Sequence, residues 1–348
     1  MPLRQLGGQA STNVQAGRDL IVYEGPSLEE IRETALDVFR ENSIALRGIA
    51  EEVALARADK ITNDFFEQLN LRAPDALNNA ADPDMHQSLL NAQREFACSG
   101  EEDLELALVD LLVDRAEETG RGIRTLVLNE AIKSAPKLTL PQRRAIAVCF
   151  CVKYARPAII RDGLEAIYTY YRTNLAPLVP DLPTKDAAFQ HIEYVGAGAI
   201  SMGSLMLGAA LSSGSRPWFT GGFTPEEVPD PVRHLVDDAR IFVPCLRDPQ
   251  RLQLSFCEAD DIPATMERLG IPPDLAGHFT YLDTVGVMPF DEVVGDLMAN
   301  VPEVQGLAAW DASPLKQLTL TTVGIAIGHG YWRRVTGGKA PLSIWVDD

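Results

Sequence analysis

From Leu28 to about Leu69 apolar and polar positions alternate at spacings of three and four, with no proline and one glycine, Gly48. Ala35, Phe39, Asn42, Leu46, Ile49, Val53 and Ala56 fall on one stripe, the heptad-like seam of a coiled coil, with Asn42 as its polar member. Ser27 followed by Glu30 forms a capping box at the start. A helix of roughly 40 residues is about 60 Å long at 1.5 Å per residue. Few single domains cover such a rod. The pattern therefore predicts self-association along the seam, or a helix folded back onto the body.

After Pro74 the periodicity breaks into ordinary helices. Asp84 to Ala97 stops at Gly100, and Glu101 to Thr119 stops at Gly120. In the second, Leu104, Leu108, Leu111 and Leu112 face one way, and acids crowd the first turn, where the helix dipole favours them. Ile123 to Ser134, Thr139 to Tyr154 and Ala158 to Leu175 continue the pattern, and Thr139 with Pro141 is a helix opening. Residues 80–176 predict a helical bundle. From Pro177 the helices shorten: Lys185 to Tyr194, Asp230 to Ala239, Ile262 to Leu269 and Asp291 to Asn300. Ile241 to Val243 and Leu252 to Phe256 read as strands.

Near the C-terminus, Thr321 to Arg334 reads as a helix rather than a strand. Gly324 and Gly328 lie one turn apart and allow another helix close approach, Arg333 and Arg334 suit the negative end, and Gly337 stops it. Leu342 to Val346 reads as a short strand. At the other end, residues 1–26 open with Gly7, Gly8 and polar residues, and Val14 to Tyr23 reads as one or two strands around a Gly17 turn. So small a strand pair does not stand alone in water. It must pair with the body or with a neighbouring chain, unless it is a disordered tail. The fold class is thus mainly α (α+β): a β arm over 1–26, a long helix over 27–75 and a helical, then mixed, body over 76–348. Val14, Leu20 and Val22 of the arm join Phe39, Asn42, Leu46, Ile49 and Val53 as candidate oligomerisation residues.

Composition narrows the function. Hydrophobic residues make up 46% and charged residues 23%, which argues against disorder. The formal charge of −18 repels phosphate backbones and anionic lipid, so nucleic acid and a resting membrane are poor partners, whereas a basic protein partner is compatible. Cys98, Cys149, Cys151, Cys245 and Cys257 are odd in number and scattered, unlike a disulfide framework. The first three sit in apolar helical text and read as buried thiols. The opening residues lack the apolar core of a signal peptide, so a cytoplasmic location is expected.

Signatures of chemistry are weak. The run Gly196 to Gly203 has serine at position 201, where a dinucleotide loop needs its third glycine, and no Walker lysine follows. Tyr194 to Ser215 spans 22 uncharged residues, but five are glycine and five serine, so membrane insertion would be marginal and conditional on assembly. His191-Ile192-Glu193 resembles half of a zinc deaminase signature. The other half begins at Pro244-Cys245 but meets aspartate at 248, and Cys257 lies too far on. No metal or cofactor is expected. Asp110 and Asp114 share a helix face with Arg115 adjacent to neutralise them, and read as a salt-bridged or solvated face. His329 with Trp332, Arg333 and Arg334 is the most site-like cluster, able to hold an anion, a partner's carboxylate or an internal salt bridge, the last favoured.

Several stretches carry a resemblance: Asn13 to Leu20, Ala92 to Ala97 with Ser99-Gly100, Leu111 to Arg115, Leu128 to Ala131, Ala135 to Thr139, and Val323 to His329 with Leu342 to Trp345. Together they resemble an uncharacterised family of bacterial proteins of about this length. The resemblance implies one unit rather than a fusion, and a bacterial cytoplasm. It assigns no activity and no residue roles. The expected function is a self-assembling protein, a homo-oligomer, whose body recognises a partner or ligand; a role in stress or antiviral defence is compatible by analogy alone. The rival readings are a hydrolase with its site at His191, Glu193 and His329, and an effector acting on membrane through 194–215 after assembly.

Overall fold

The computed structural model describes residues 27–42, 49–155, 163–256 and 261–347. The predicted capping box forms at the start of α1 (Leu28–Asn42): Glu30 Oε2 accepts the Ser27 N–H at 2.7 Å, and Ser27 Oγ accepts the Glu30 N–H at 3.3 Å. The long rod does not form. In a continuous helix Arg32 and Asp59 would stand about 40 Å apart; instead Arg32 Nη2 lies 2.9 Å from Asp59 Oδ1, and Nε donates to Asn63 Oδ1 at 2.7 Å. Further along, Phe39 packs with Ala54 and Ala58, so α1 runs antiparallel to α2 (Ile49–Arg72). The 27–75 helix is therefore a hairpin, and the first part of the seam is spent within the chain: Ala35 and Phe39 are buried, and Leu90 and Ala97 complete the packing around Phe39. Phe39 is thus not open to a second copy, whereas Val53 is exposed. The arm with Val14, Leu20 and Val22, the residue Leu46, and the side chains of Asn42 and Ile49 lie outside the described residues.

The bundle follows the sequence closely. It comprises α3 (Pro83–Ser99), α4 (Glu102–Glu117), α5 (Ile123–Ser134), α6 (Leu140–Lys153) and α7 (Leu164–Asn174). Asp82 caps α3 by accepting the Asp84 N–H at 2.9 Å, and Gly100 ends it in the left-handed region at φ 65°. Thr139 and Gln142 form a second capping box at α6. Leu108 and Leu112 of α4 are fully buried, as the stripe predicted.

Beyond the bundle come α8 (Asp186–Tyr194), β1 (Gly198–Ile200), α9 (Leu207–Gly214), α10 (Asp230–Arg233), β2 (Phe242–Pro244), β3 (Leu252–Leu254), α11 (Asp261–Leu269), α12 (Ala276–Val285), α13 (Phe290–Asn300), β4 (Leu318–Leu320) and α14 (Thr322–Thr336). The chain is mainly α with a few short strands. β1 pairs antiparallel with β4, Gly198 opposite Leu320, and β2 pairs antiparallel with β3. The helix expected over Asp230 to Ala239 stops at Arg233. The glycine run holds β1 at its centre, flanked by turn and bend, rather than a phosphate loop opening a helix. A Cβ on Gly198 would stand 2.8 Å from Leu318 Cδ1 and 2.9 Å from Thr319 O, so glycine lets β4 approach. The 194–215 stretch divides between the end of α8, β1, a loop and α9, and no helix among the described residues is long and apolar enough to cross a membrane.

α14 sits at the centre, against α4, α5 and α6. Gly328 does admit a helix: a Cβ there would lie 2.9 Å from Phe150 Cβ of α6. Gly324 instead admits backbone, its Cβ position falling 1.7 Å from Ala197 O. Gly337 ends α14 at φ 71°. Leu342 to Val346 is not the expected strand. Leu342–Ile344 forms a 3₁₀ turn, and Trp345 Nε1 donates to Tyr154 O at 2.9 Å. Trp345 meets Phe150 and His329, and Ile344 is exposed. A second, smaller core gathers Phe223, Val232, Phe242, Phe279 and Leu282 apart from the main one.

Candidate functional site

Asp110 and Asp114 stand one turn apart on α4, and both are buried. Their partners come from the two ends of the chain. Arg72, closing α2, places Nη1 2.7 Å from Asp110 Oδ1 and Nη2 3.4 Å from Asp114 Oδ1; Arg333 of α14 also bonds Asp114. The pair is thus an internal ion cluster rather than a surface one. Burial pushes both carboxyls above the usual range, and the arginines draw them back. Arg115, the sequence neighbour expected to neutralise them, turns away, because consecutive residues on a helix do not face the same side.

Arg334 donates to Asp103 O and to Asp103 Oδ1, each at 2.9 Å, with its guanidinium 4.6 Å from the Tyr331 ring centre. Trp332 is buried against Phe150. The Trp332, Arg333 and Arg334 cluster therefore serves the chain's own packing. His329 is wholly buried; its Nε2 donates to Ala340 O at 2.8 Å, and its ring meets Phe150 and Trp345.

Burial holds the His329 imidazole down at about 4, against an ordinary 6.5, with the Arg333 charge adding to the effect despite the bond to Ala340. The unfolded chain therefore takes up this proton first. Stability present above 6.5 is lost as the pH falls towards 4, by about 3 kcal/mol at most. Glu105 of α4 acts the other way. Its carboxyl, bonded to Lys60, is pushed up to about 7 by burial and by Asp64, so it adds stability as the pH falls from 7 towards 4.5. Urea unfolding of wild type and His329→Gln at neutral pH and at pH ~5 separates the two. The variant is expected to lose less stability on acidification; equal losses would refute the assignment.

His191 lies elsewhere. Its Nδ1 is 3.0 Å from Gln142 Nε2, and its ring stacks on Tyr194. Glu193 Oε1 accepts the Ile200 N–H at 3.3 Å. Gln142 and Phe150, the α6 contacts of the two histidines, are eight residues or about 12 Å apart along the helix. His191, Glu193 and His329 are therefore not brought together as a hydrolytic centre. No group of three or more His, Cys, Asp or Glu able to hold a metal occurs among the described residues. Cys245 is buried with Sγ 3.5 Å from Thr220 O, and Cys257 lies outside the described residues. Cys149 and Cys151 are buried as expected, their thiols pushed up to about 12, but Cys98 is exposed: it falls on the outer face of α3, where the flanking apolar residues do not cover it.

The feature the sequence did not announce is a groove of about 730 Å³ along α3, α4 and α5. At its floor the Arg115 side chain, 5% exposed, donates from Nη2 to Asp84 Oδ2 at 2.7 Å and from Nε to Asn129 Oδ1 at 2.8 Å. Asn129 Nδ2 closes the triangle on Asp84 Oδ2 at 2.8 Å, and Ser88 Oγ donates to Asn129 Oδ1 at 2.9 Å. Asp84 is correspondingly held below the usual carboxylate range, by Arg115 first and Asn129 second. Arg121 and Lys133 are exposed on the rim. No local spacing reveals this set, since its members come from three helices.

Comparison with the curated proteins and with the solved structures gives no match. A family model of uncharacterised-like proteins matches residues 25–346. That match takes in the hairpin, the bundle, the groove and the central helix, and so the chain belongs to this uncharacterised family as a single unit.

Proposed function

We propose that this protein recognises a polar ligand or protein partner in the groove between α3, α4 and α5, and that copies of it associate. The supporting observation is Arg115, fixed by Asp84 and Asn129 at the floor of the groove. A charged donor held in place beforehand loses little freedom on binding. Two of the stretches that carry the family resemblance, Leu111 to Arg115 and Leu128 to Ala131, meet at the Arg115–Asn129 bond. Catalysis by His191, Glu193 and His329 lacks such support, because the three are dispersed.

Arg121→Glu with Lys133→Glu reverses the rim while touching only exposed positions, where substitutions change stability little. Small molecules and proteins retained by tagged wild type and by this double variant are compared by mass spectrometry. A species held by wild type and lost from the variant is expected; identical sets overturn the groove reading.

Self-association is favoured by a separate observation. Met202 is fully exposed, Tyr194 is 86% exposed and Met206 is exposed, all within one segment around β1. Exposed apolar side chains gathered in one segment form a surface suited to pairing. Light scattering of the full chain is expected to give a defined oligomer, and a monomer at micromolar concentration defeats this reading.

A further inference from the structure

The hydrogen bonds at the floor of the groove between α3, α4 and α5 are incomplete. An arginine carries five N–H donors. Arg115 uses one on Nε for Asn129 and one on Nη2 for Asp84. Its Nη1 and the second hydrogen of Nη2 meet no acceptor among the described residues. The side chain is 5% exposed, and Nη1 is the end left open to the groove that it lines. A nearly buried guanidinium edge with unmet donors gains more from a ligand than an exposed group already bonded to water.

The acids of the groove already have partners. Asp82 Oδ1 accepts the Asp84 and Met85 N–H groups at the start of α3, and Asp84 Oδ2 accepts from Arg115 and Asn129. Glu118 Oε1 accepts from Arg124 Nε at 2.8 Å, and Glu130 lies 3.5 Å from Lys133 Nζ. Arg121 differs. It is exposed, lines the groove and has no ion pair among the described residues. It stands close enough to Asp84 to help hold that carboxyl down. The groove thus offers one fixed guanidinium edge and one free guanidinium, beside acids that are engaged.

Resting on the groove as the recognition site, we propose that its ligand carries a carboxylate, received by Arg115 Nη1 at the floor and by Arg121 at the rim. Arg115 keeps its bonds to Asp84 and Asn129 in doing so, because Nη1 takes part in neither. A planar carboxylate matches a guanidinium edge, whereas a phosphate brings a second charge towards Asp84. The net charge of −18 disfavours a polyanion. At physiological salt, charges beyond about 8 Å are largely screened, so the local set decides for a single carboxylate. Leu126, 43% exposed on the α5 wall, gives the stem behind that carboxylate an apolar contact. The carboxylate belongs either to a free organic acid or to an acidic side chain of a peptide, since 730 Å³ holds both.

The test is calorimetric titration of the full chain with butyrate and, separately, with the capped peptide acetyl-Gly-Glu-Gly-amide, each beside its neutral counterpart, butyramide and acetyl-Gly-Gln-Gly-amide. Binding of at least one carboxylate probe at millimolar concentration is expected, with its amide counterpart roughly tenfold weaker. Arg121→Gln alters an exposed side chain that makes no ion pair, and should weaken the carboxylate probe by roughly tenfold. Arg268→Gln, exposed on α11 and not lining the groove, should leave it unchanged. Butyrate binding points to a free acid, and binding of the peptide alone points to an acidic side chain on a partner. No heat from either carboxylate, an amide bound as well as its acid, or an Arg121→Gln affinity equal to wild type overturns the proposal. A species retained by wild type and lost from the charge-reversed rim variant, together with acid and amide probes that bind alike, keeps the groove as a site and removes the carboxylate.

Discussion

Asp114→Ala is expected to lower the free energy of unfolding by roughly 3–5 kcal/mol, because it leaves buried charge without its partner. Asp114 is the shared acceptor of Arg72 from the N-terminal hairpin and Arg333 from the central helix. Without it, Asp110 still holds Arg72, but Arg333 loses its carboxylate and the two guanidinium groups repel across α4. The loss therefore exceeds that of a surface salt bridge, about 1 kcal/mol or less. Urea unfolding followed by circular dichroism measures it. The double variant Asp114→Leu with Arg333→Met is expected to recover much of the stability, since apolar packing can replace a buried pair. A single-variant loss below about 1 kcal/mol would show that solvent already screens the cluster.

Trp310→Ala should be comparably severe, at roughly 3–5 kcal/mol, from lost burial and the cavity left behind. The indole is wholly buried, its Nε1 donates to Leu205 O at 2.8 Å, and Lys153 Nζ lies 5.3 Å from the ring centre. Lys153 in turn donates to Lys316 O and Leu318 O at 2.9 and 2.8 Å, at the entry to β4. Removing the indole thus releases the loop before α9 and weakens the β4 side at once. Faster proteolysis around Leu205 should accompany the lower unfolding midpoint. Trp310→Phe keeps most of the buried ring and separates packing from the hydrogen bond. An alanine variant with an unchanged midpoint would mean that the neighbouring helices collapse into the space.

Features set by local chemistry were legible in the sequence. The Ser27–Glu30 box, the opening at Thr139, the α4 stripe and the Gly100 and Gly337 stops depend on residues within one or two turns, and each appears where that chemistry places it. The hairpin was not legible: the seam of Phe39 and its neighbours is the same text whether the partner is another chain or α2 folded back. What decides is Arg32 meeting Asp59 and Asn63, a contact across distant turns. The strand reading of Leu342 to Val346 failed for a related reason. Alternating apolar residues suit a sheet, but here Trp345 packs its ring on Phe150 and bonds Tyr154 O, while Ile344 is exposed.

The candidate site divides in the same way. The internal role of Arg333 and Arg334 followed from their place in the last turn of α14. Their acceptors, Asp114 and Asp103, lie more than two hundred residues away and no spacing indicates them. The Arg115, Asp84 and Asn129 triangle was hidden because Arg115 appeared to belong to Asp114. Only helix geometry, which sends neighbouring side chains to different faces, separates the two networks.

The central position of α14 bears on how the protein is made. This helix fills the space between α4, α5 and α6, yet the ribosome produces it after all three. Until it emerges, the nascent bundle exposes the surface that Phe150, Leu111 and Ile146 will later share with it. Closure of the main core is therefore an event of late synthesis, joined by contacts of long sequence separation, which slow folding and leave intermediates prone to aggregation. The hairpin and the second, smaller core need no such wait. A chain stalled in translation before Thr322 would hold both of these beside an open bundle, a species whose exposed apolar surface invites aggregation.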